Sequence, residues 1–401
     1  MNILLLNAGS SSLKCTLVEA VSGTILARAS SDWAGPVTRY ERFGPGTSRV
    51  SEEVSFRRHG DAVKRVLHDL SLTASESPGK GSSTVSAVGH RIVHGGAFSA
   101  SVRITDAVRA RIAALADLAP LHNPPGLETL AAAESLLPEV PHVAVFDTAF
   151  HATLPPAAFT YPVPHEWTEG WGMRRYGFHG LSHSYCATRA AEMLERPISE
   201  LRLVICHLGH GCSASAVRAG RSIDTTMGFT PVDGLMMATR SGAVDPSILT
   251  HVQIRHGLSA NDVDAALNRS SGLLGVSGVS ADMREVLAAR GAGNERARLA
   301  VDVYAHRVRQ AIGAFAVTLG GVDVLVFTGG VGENSAEIRA DACRGLECLG
   351  LELDADANGG LAPDADVARR GARARILVIA AREDVAMLSE VVRVIAARGE
   401  G

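Results

Sequence analysis

The stretch "ILLLNAGSSSLKCTLVEA", residues 3–20, decides how the chain is read. An apolar run from Ile3 to Leu6 ends in Asn7 and a cluster of small residues, and a second apolar run follows Lys14. This reads as a strand, a small-residue turn and a returning strand. Backbone N–H groups in such a turn can approach an anion closely, and hydroxyls add donors. Lys14 supplies a point charge suited to phosphate. A plain β-turn with an exposed lysine is the bland alternative. The spacing of a P-loop, GxxxxGK[ST], is absent.

The same grammar returns in "LVICHLGHGCSASAVRAG", residues 203–220. Two such hairpins about 200 residues apart suggest two related domains, each offering a glycine turn to a shared cleft. The competing reading is that short hairpins resemble one another.

Length supports two domains: 401 residues exceed one ordinary core. Hydrophobic residues make up 46%, ample for two cores. The formal net charge of -3 gives no basic field to attract nucleic acid or an anionic membrane. The 4% aromatic content argues against base-stacking surfaces. Six cysteines lie scattered without CxxC pairing, so neither a zinc site nor a disulfide framework is indicated. Free thiols fit a reducing compartment. The first residues lack a basic n-region, and no uncharged apolar run is long enough to span a bilayer. The expectation is a soluble, cytoplasmic protein.

Along the chain, residues 1 to about 29 read as two strands, and Ser31 to Val50, with its Gly-Pro turns, as irregular surface. Asp61 to Leu70 reads as helix and "SESPGKGSS" (75–83) as a loop. "VSAVGHRIVHGG" (85–96) is a buried strand ending in a turn. The segment from Ile104 carries a Thr-Asp cap and stays helical until Pro120. "HVAVFDTAF" (142–150) is a strand with Asp147 at its exit, and a boundary falls near residue 150. "GVDVLVFTGGVGENS" (321–335) is strand, glycine turn and helix start. "RILVIAARED" (375–384) is a last strand, followed by a helix from about Val385.

Chemistry-bearing residues gather at strand ends. Gly329, Gly330 and Gly332 let a nucleotide lie on the backbone, with a helix N-terminus pointing at it. Arg91 and Arg240 sit in small-residue turns and suit two-point capture of carboxylate or phosphate. Surface salt bridges are their common role. Asp147 ends an otherwise apolar strand, where a cap is the alternative. His179 and His183 have i, i+4 spacing, but no HExxH glutamate lies between them, which argues against a metal pair. Glu383 and Asp384, at the end of the last strand, could hold Mg²⁺ through water. In α/β proteins the ends of strands are where ligands bind.

Taken together, "NAGSSSLK", "GHRIVHGG", "PLHNPPG", "VFDTAFH", "RRYGFHGLSH", "HLGHG", "DTTMGFTPVDGLMMATRSG", "SGLLGVSG", "DMRE", "FTGGVGENS" and "AREDVAM" resemble the acetate kinase family over nearly the whole chain. The resemblance implies an α/β fold of two duplicated RNase H-like (actin-like ATPase) domains with an active-site cleft between them. It implies an N-terminal domain of residues 1–150 completed by a crossover helix at 385–401. The second domain, 151–384, would bind nucleotide and form a homodimer. The implied reaction is reversible, direct in-line phosphoryl transfer from ATP to acetate, giving acetyl phosphate and ADP with Mg²⁺ or Mn²⁺. A propionate or other short-chain carboxylate kinase, or a pyrophosphate-using variant, is the alternative.

The resemblance also assigns roles. Asp147, Arg91, Arg240 and His179 match catalytic positions. Asn7 and Glu383 match the metal positions. Lys14, His207, Leu208, Gly209, His210, Gly211, Asp282, Met283, Arg284, Gly330, Val331, Gly332, Glu333 and Asn334 match nucleotide-binding stretches. Val93, Leu121, Phe178 and Pro231, beside Arg91, match the pocket for the acetate methyl. Asp147 is read as orienting an arginine and metal-bound water, because acetate is already ionised near neutral pH and needs no strong base. Three departures stand out: His210 and Arg382 where the family usually has asparagine, and Ala243 where it usually has aspartate. They bear on the phosphoryl donor and on metal dependence.

Overall fold

The computed structural model describes residues 1–44, 49–70, 85–119 and 122–397. The loop expected at 75–83 and the pocket residue Leu121 lie outside them. The chain forms two compact units: Met1–Ala149 with the segment from Arg382 onward, and Phe150–Ala381.

The opening hairpin forms as the apolar runs dictate. Strands β1 (Asn2–Ala8) and β2 (Ser12–Glu19) pair antiparallel, with Asn7 opposite Lys14. The first unit adds β3 (Ile25–Asp32), β4 (Thr38–Phe43), β5 (Val50–Val54), β6 (Val85–Ile92), β7 (Val102–Arg103) and β8 (His142–Phe146). The sheet runs β5-β4-β3-β2-β1-β6-β8-β7. In it β1, β6 and β8 are mutually parallel, so their C-terminal ends lie side by side. The second unit has β9 (Arg202–Leu208), β10 (Cys212–Arg218), β11 (Arg221–Thr225), β12 (Val324–Thr328), β13 (Ala365–Asp366) and β14 (Arg375–Val378), in the order β11-β10-β9-β12-β14-β13.

The two sheets share one core. An antiparallel trio, β3-β2-β1 or β11-β10-β9, is extended by two parallel strands, β6-β8 or β12-β14, and an antiparallel edge strand closes each. β1 and β9 even alternate burial identically along their length. The hairpin echo is therefore a duplication of topology, and the RNase H-like expectation holds. The turns differ slightly: Ala8 faces Leu13, whereas Leu208 faces Cys212, so the second turn is a residue tighter.

Several local expectations need correction. Residues 1–29 hold two strands and most of a third, β3. The segment 31–50 is not irregular throughout: Thr38 and Tyr40 point inward while Arg39 points out, the alternation of a half-buried strand, and the Gly-Pro pair marks only the turn before it. The helix capped by the Thr105 hydroxyl stops at Ala113, because Leu115 leaves helical geometry and lies against Gly96. The last strand ends at Val378, and the final helix, Glu383–Ala396, begins on Glu383 itself.

That helix packs on β6, β8 and β1 of the first sheet through Met387, Leu388 and Val391. Gly89 is required there, since a Cβ at that position would sit 2.6 Å from a Val391 methyl. The first unit's main core joins Leu4, Leu6, Leu13 and Tyr40 to the helix His59–Asp69. In the second, the helix Gly180–Met193 covers Leu203, Ile205, Val324 and Val326.

Buried histidines have a consequence for stability. His90 and His142 stack within the first unit, with His90 Nε2 2.9 Å from His142 Nδ1. His151 and His183 are buried in the second. Burial lowers the basicity of all four rings, taking His151 to about 4. A depressed folded-state value means the unfolded chain takes up protons first, beginning near pH 6.5, the ordinary imidazole value, at about that point. Stability is thus full above about pH 7 and falls as pH drops from about 6.5 towards 4. Urea midpoints measured between pH 8 and 4.5 should show this slope, and it should flatten in His90→Gln/His142→Gln. A midpoint independent of pH would contradict it.

Candidate active site

Parallel pairing brings Asn7, Arg91 and Asp147 together at the C-terminal ends of β1, β6 and β8 in the first unit. Arg91 is the hub. Its Nε and Nη2 donate to the two Asp147 oxygens at 3.0 and 2.6 Å, a two-point fork. Its Nη1 donates to Asn7 Oδ1 at 3.1 Å and lies 3.1 Å from Glu383 Oε2. Glu383, first residue of the final helix, also gains from the positive end of that helix. Asp147 is 1% exposed. Burial raises its carboxyl's pKa, the Arg91 charge opposes this, and Glu383 adds to the rise. Burial works against the Arg91 charge, but the two carboxylates outweigh it and hold the guanidinium firmly protonated. Lys14 is exposed on the strand beside Asn7. Val93, just past β6, is buried.

In the second unit the small-residue turn Gly209–Gly211 leaves room for larger groups. A Cβ built on Gly211 would lie 3.3 Å from His179 Nε2 and 3.7 Å from Arg240 Nη1. His179, His210's neighbour Gly211 and Arg240 are thus brought together. His207 lies against His179, ring centroids 4.3 Å apart and planes tilted by 32°. Arg240 differs from Arg91: among the described residues no carboxylate lies within ion-pair distance, and its Nη1 makes a weak hydrogen bond to Pro231 O at 3.4 Å. Burial lowers its pKa, the mark of a cation taken from water without an acid partner. Such a guanidinium suits an anionic ligand. His210 is exposed in the turn, and partial burial and the Arg240 charge lower its basicity. Phe178 is buried, and its carbonyl lies 3.0 Å from His151 Nε2.

The second glycine turn presses on the first. Gly329 has φ +78, and a Cβ there would sit 2.8 Å from Leu208 O. The short helix Gly329–Asn334 contains Gly330, Val331 and Gly332. Glu333 is spent internally: its Oε1 accepts from Gly329 N and from Ala381 N, both at 2.9 Å. Asn334 donates to Gly330 O. Asp282 caps the helix Met283–Gly291 and pairs with Arg284, which brings its carboxyl down to about 2.

Two supports of the site carry no recognisable sequence motif. Ser213 Oγ lies 2.9 Å from His179 Nδ1 and 2.8 Å from His183 Nε2. That shared hydroxyl gives the i, i+4 spacing of the two histidines a structural role. Arg339, fully buried, donates to the carbonyls of Gly332 and Glu333 and to Asn358. No short pattern announces either residue; Ser213's only signal is its place in the strand that leaves the glycine turn. Among the described residues no three His, Cys, Asp or Glu gather as a metal cluster, and no helix is long and apolar enough to cross a membrane.

The twice-repeated strand order, with polar side chains at the ends of the parallel strands, defines the duplicated RNase H-like class. Residues 2–389 match the model of the acetokinase family, and the chain belongs to that family. It is 49% identical over 398 residues to an acetate kinase of Cyanothece sp., covering 97% of each chain. The crystal structure of the Porphyromonas gingivalis acetate kinase superposes with a TM-score of 0.90 at 40% identity, covering 98% of this chain and 99% of that one. A propionate kinase from Francisella tularensis gives 0.89 at 36% identity, covering 97% and 98%.

The Glu333 brace is open to test. Glu333→Ala strips the acceptor from two backbone N–H groups and should cost about 1–3 kcal/mol for each left unsatisfied. Glu333→Gln keeps an accepting oxygen and should cost less. Urea unfolding of both variants measures this; equal losses would show that the two bonds carry little.

Proposed function

We propose that this chain is an acetate kinase, transferring the terminal phosphoryl group of ATP to acetate, reversibly, to give acetyl phosphate and ADP. The observation that carries the reading is the Arg91 hub, a half-buried guanidinium locked by Asp147, Asn7 and Glu383 at the ends of three parallel strands. Full-length likeness to acetate kinases supports it.

The acetate oxygen attacks phosphorus as the ADP oxygen leaves in line, so the protein's task is positioning and neutralising spread negative charge. Arg91 arrives pre-oriented by the Asp147 fork. Arg240, with no acid of its own among the described residues, supplies charge to the phosphoryl oxygens. His179 donates to the same group. Asp147 orients Arg91 rather than removing a proton. The family resemblance assigns Val93, Leu121, Phe178 and Pro231 to recognition of the methyl. The turns at 207–211 and 330–334, with Asp282, Met283, Arg284 and Lys14, hold the nucleotide; Glu333 serves there by holding the turn's backbone. The second unit carries nucleotide binding and homodimer formation, and the protein works in the cytoplasm.

The donor chemistry near Arg91 fits Mg²⁺. Asn7 and the two carboxylates Asp147 and Glu383 offer only oxygen, and Mg²⁺ takes one or two carboxylates while keeping waters. Asn7 and Glu383 would hold it, and it would neutralise nucleotide phosphate charge.

Trapping acyl phosphate with hydroxylamine, across ATP, GTP and pyrophosphate and across acetate, propionate and butyrate, tests the reading. Product from ATP and acetate is expected; none would overturn it. Arg240→Ala should lower turnover by about 10³–10⁵, the range for a phosphoryl-transfer arginine. Near-normal turnover would remove Arg240 from the chemistry. Asp147→Asn should keep substrate binding and lose turnover, since it breaks the fork. Val93→Ala should shift preference towards propionate, because one methylene in an apolar pocket is worth about 1–3 kcal/mol. An unchanged ratio of the two acids would place Val93 outside the pocket.

A further inference from the structure

We propose that Ser213 and His183 fix His179 in the tautomer that carries its proton on Nε2, so that the ring presents an N–H donor to the phosphoryl group. The consequence for catalysis rests on the phosphotransferase reading above; the tautomer does not.

The argument is a count of protons. Ser213 Oγ lies 2.9 Å from His179 Nδ1 and 2.8 Å from His183 Nε2. A hydroxyl has one proton, so it can donate to only one of these rings. Ser213 and His183 are both fully buried, and His183 Nδ1 has no hydrogen-bond partner. His183 is neutral, kept so by burial and by the nearby rings of His151 and His207. It therefore carries its proton on one nitrogen.

If Ser213 donated to His183, that proton would sit on Nδ1 as a buried donor with no acceptor. Orphaned buried N–H groups are rare, more so than under-satisfied acceptors. If instead His183 Nε2–H donates to Ser213, only a lone pair is left unpaired, and the hydroxyl proton passes to His179 Nδ1. A third arrangement, with both rings donating to Ser213, strands the hydroxyl proton in the same way. The second arrangement prevails. His179 Nδ1 is then an acceptor, and its proton lies on Nε2.

The backbone agrees with a ring held for a purpose. His179 sits at φ +57, left-handed and uncommon for a residue with a Cβ, at the start of the helix Gly180–Met193. Its Nε2 faces the Gly211 turn. An N–H there attracts a phosphoryl oxygen, whereas a lone pair would repel it. Ser213 and His183 act through His179 and are positioning residues.

Two-bond ¹H–¹⁵N spectra of the full-length protein labelled with ¹⁵N-histidine test this, with the His179 pattern assigned by its loss in His179→Gln. The wild type should show His179 with Nε2 protonated and Nδ1 bare. Ser213→Ala should give a mixture of tautomers. Its kcat should fall about 10-fold, less than the 10²–10³ lost when an oxyanion donor is removed outright, and its KM for ATP should change less than about 3-fold, the split expected for an interaction made in the transition state. His183→Gln, whose amide can donate to Ser213, should keep the wild-type pattern, and His183→Leu should lose it. A wild-type His179 protonated on Nδ1, or a Ser213→Ala spectrum identical to wild type, overturns the proposal. If Ser213→Ala does not fold, the wild-type and His183→Gln spectra decide it. A wild type that shows the Nε2–H ring but forms no acyl phosphate sinks the functional reading and supports the tautomer.

Discussion

Taking a guanidinium out of water is costly unless acids accompany it, and the first unit is organised around that constraint. Arg91 sits at the end of β6, and each neighbouring element brings it a partner: β1 supplies Asn7, the exit of β8 supplies Asp147, and the final helix supplies Glu383. The parallel register places Arg91 beside Val145, two residues short of Asp147, so the fork closes without distortion. The approach of the final helix at Gly89 belongs to the same solution, because Glu383 reaches Arg91 only if that helix lies on the sheet. One buried charge thus ties the beginning, middle and end of the chain together.

The second unit uses the same core differently. Its arginine, Arg240, has one weak bond to Pro231 O and, among the described residues, no acid within ion-pair distance, so its charge is directed to whatever anion binds. Glu333 and Arg339 are turned inward to hold backbone. Glu333 clips Gly329 to Ala381, and Arg339 takes the carbonyls of Gly332 and Glu333. The nucleotide turns can then be rich in glycine without being loose. Duplication supplied two scaffolds with a common core; charge placement made one a rigid hub and the other a receptor.

Buried imidazoles carry a parallel lesson. In the sequence His183 follows His179 by four residues, a spacing that metal pairs share. In the fold it is neutral and bound to a serine. Spacing on a helix says that two rings can share a partner. It does not say whether that partner is a metal or a hydroxyl, because the third group comes from a different strand.

What the sequence determined by itself was whatever is local. Apolar runs and glycine turns set β1, β2, β9, β10 and the strand before Gly329, and the repeat of that grammar foretold the duplicated core. Arg91 and Asp147 were legible as polar residues at strand ends, whereas Arg240 and His179, expected there too, lie in a loop and at the start of the helix Gly180–Met193. Tertiary structure decided the rest. It showed that the inward-pointing Thr38 and Tyr40 make a strand of a segment punctuated by glycine and proline. It gave Glu383 to a helix start rather than a strand end. It turned Glu333 from a contact into a brace, and it revealed Ser213 and Arg339 as supports. These outcomes depend on which residues, distant in the chain, reach hydrogen-bond distance, and a short pattern carries only what neighbours in sequence impose on one another.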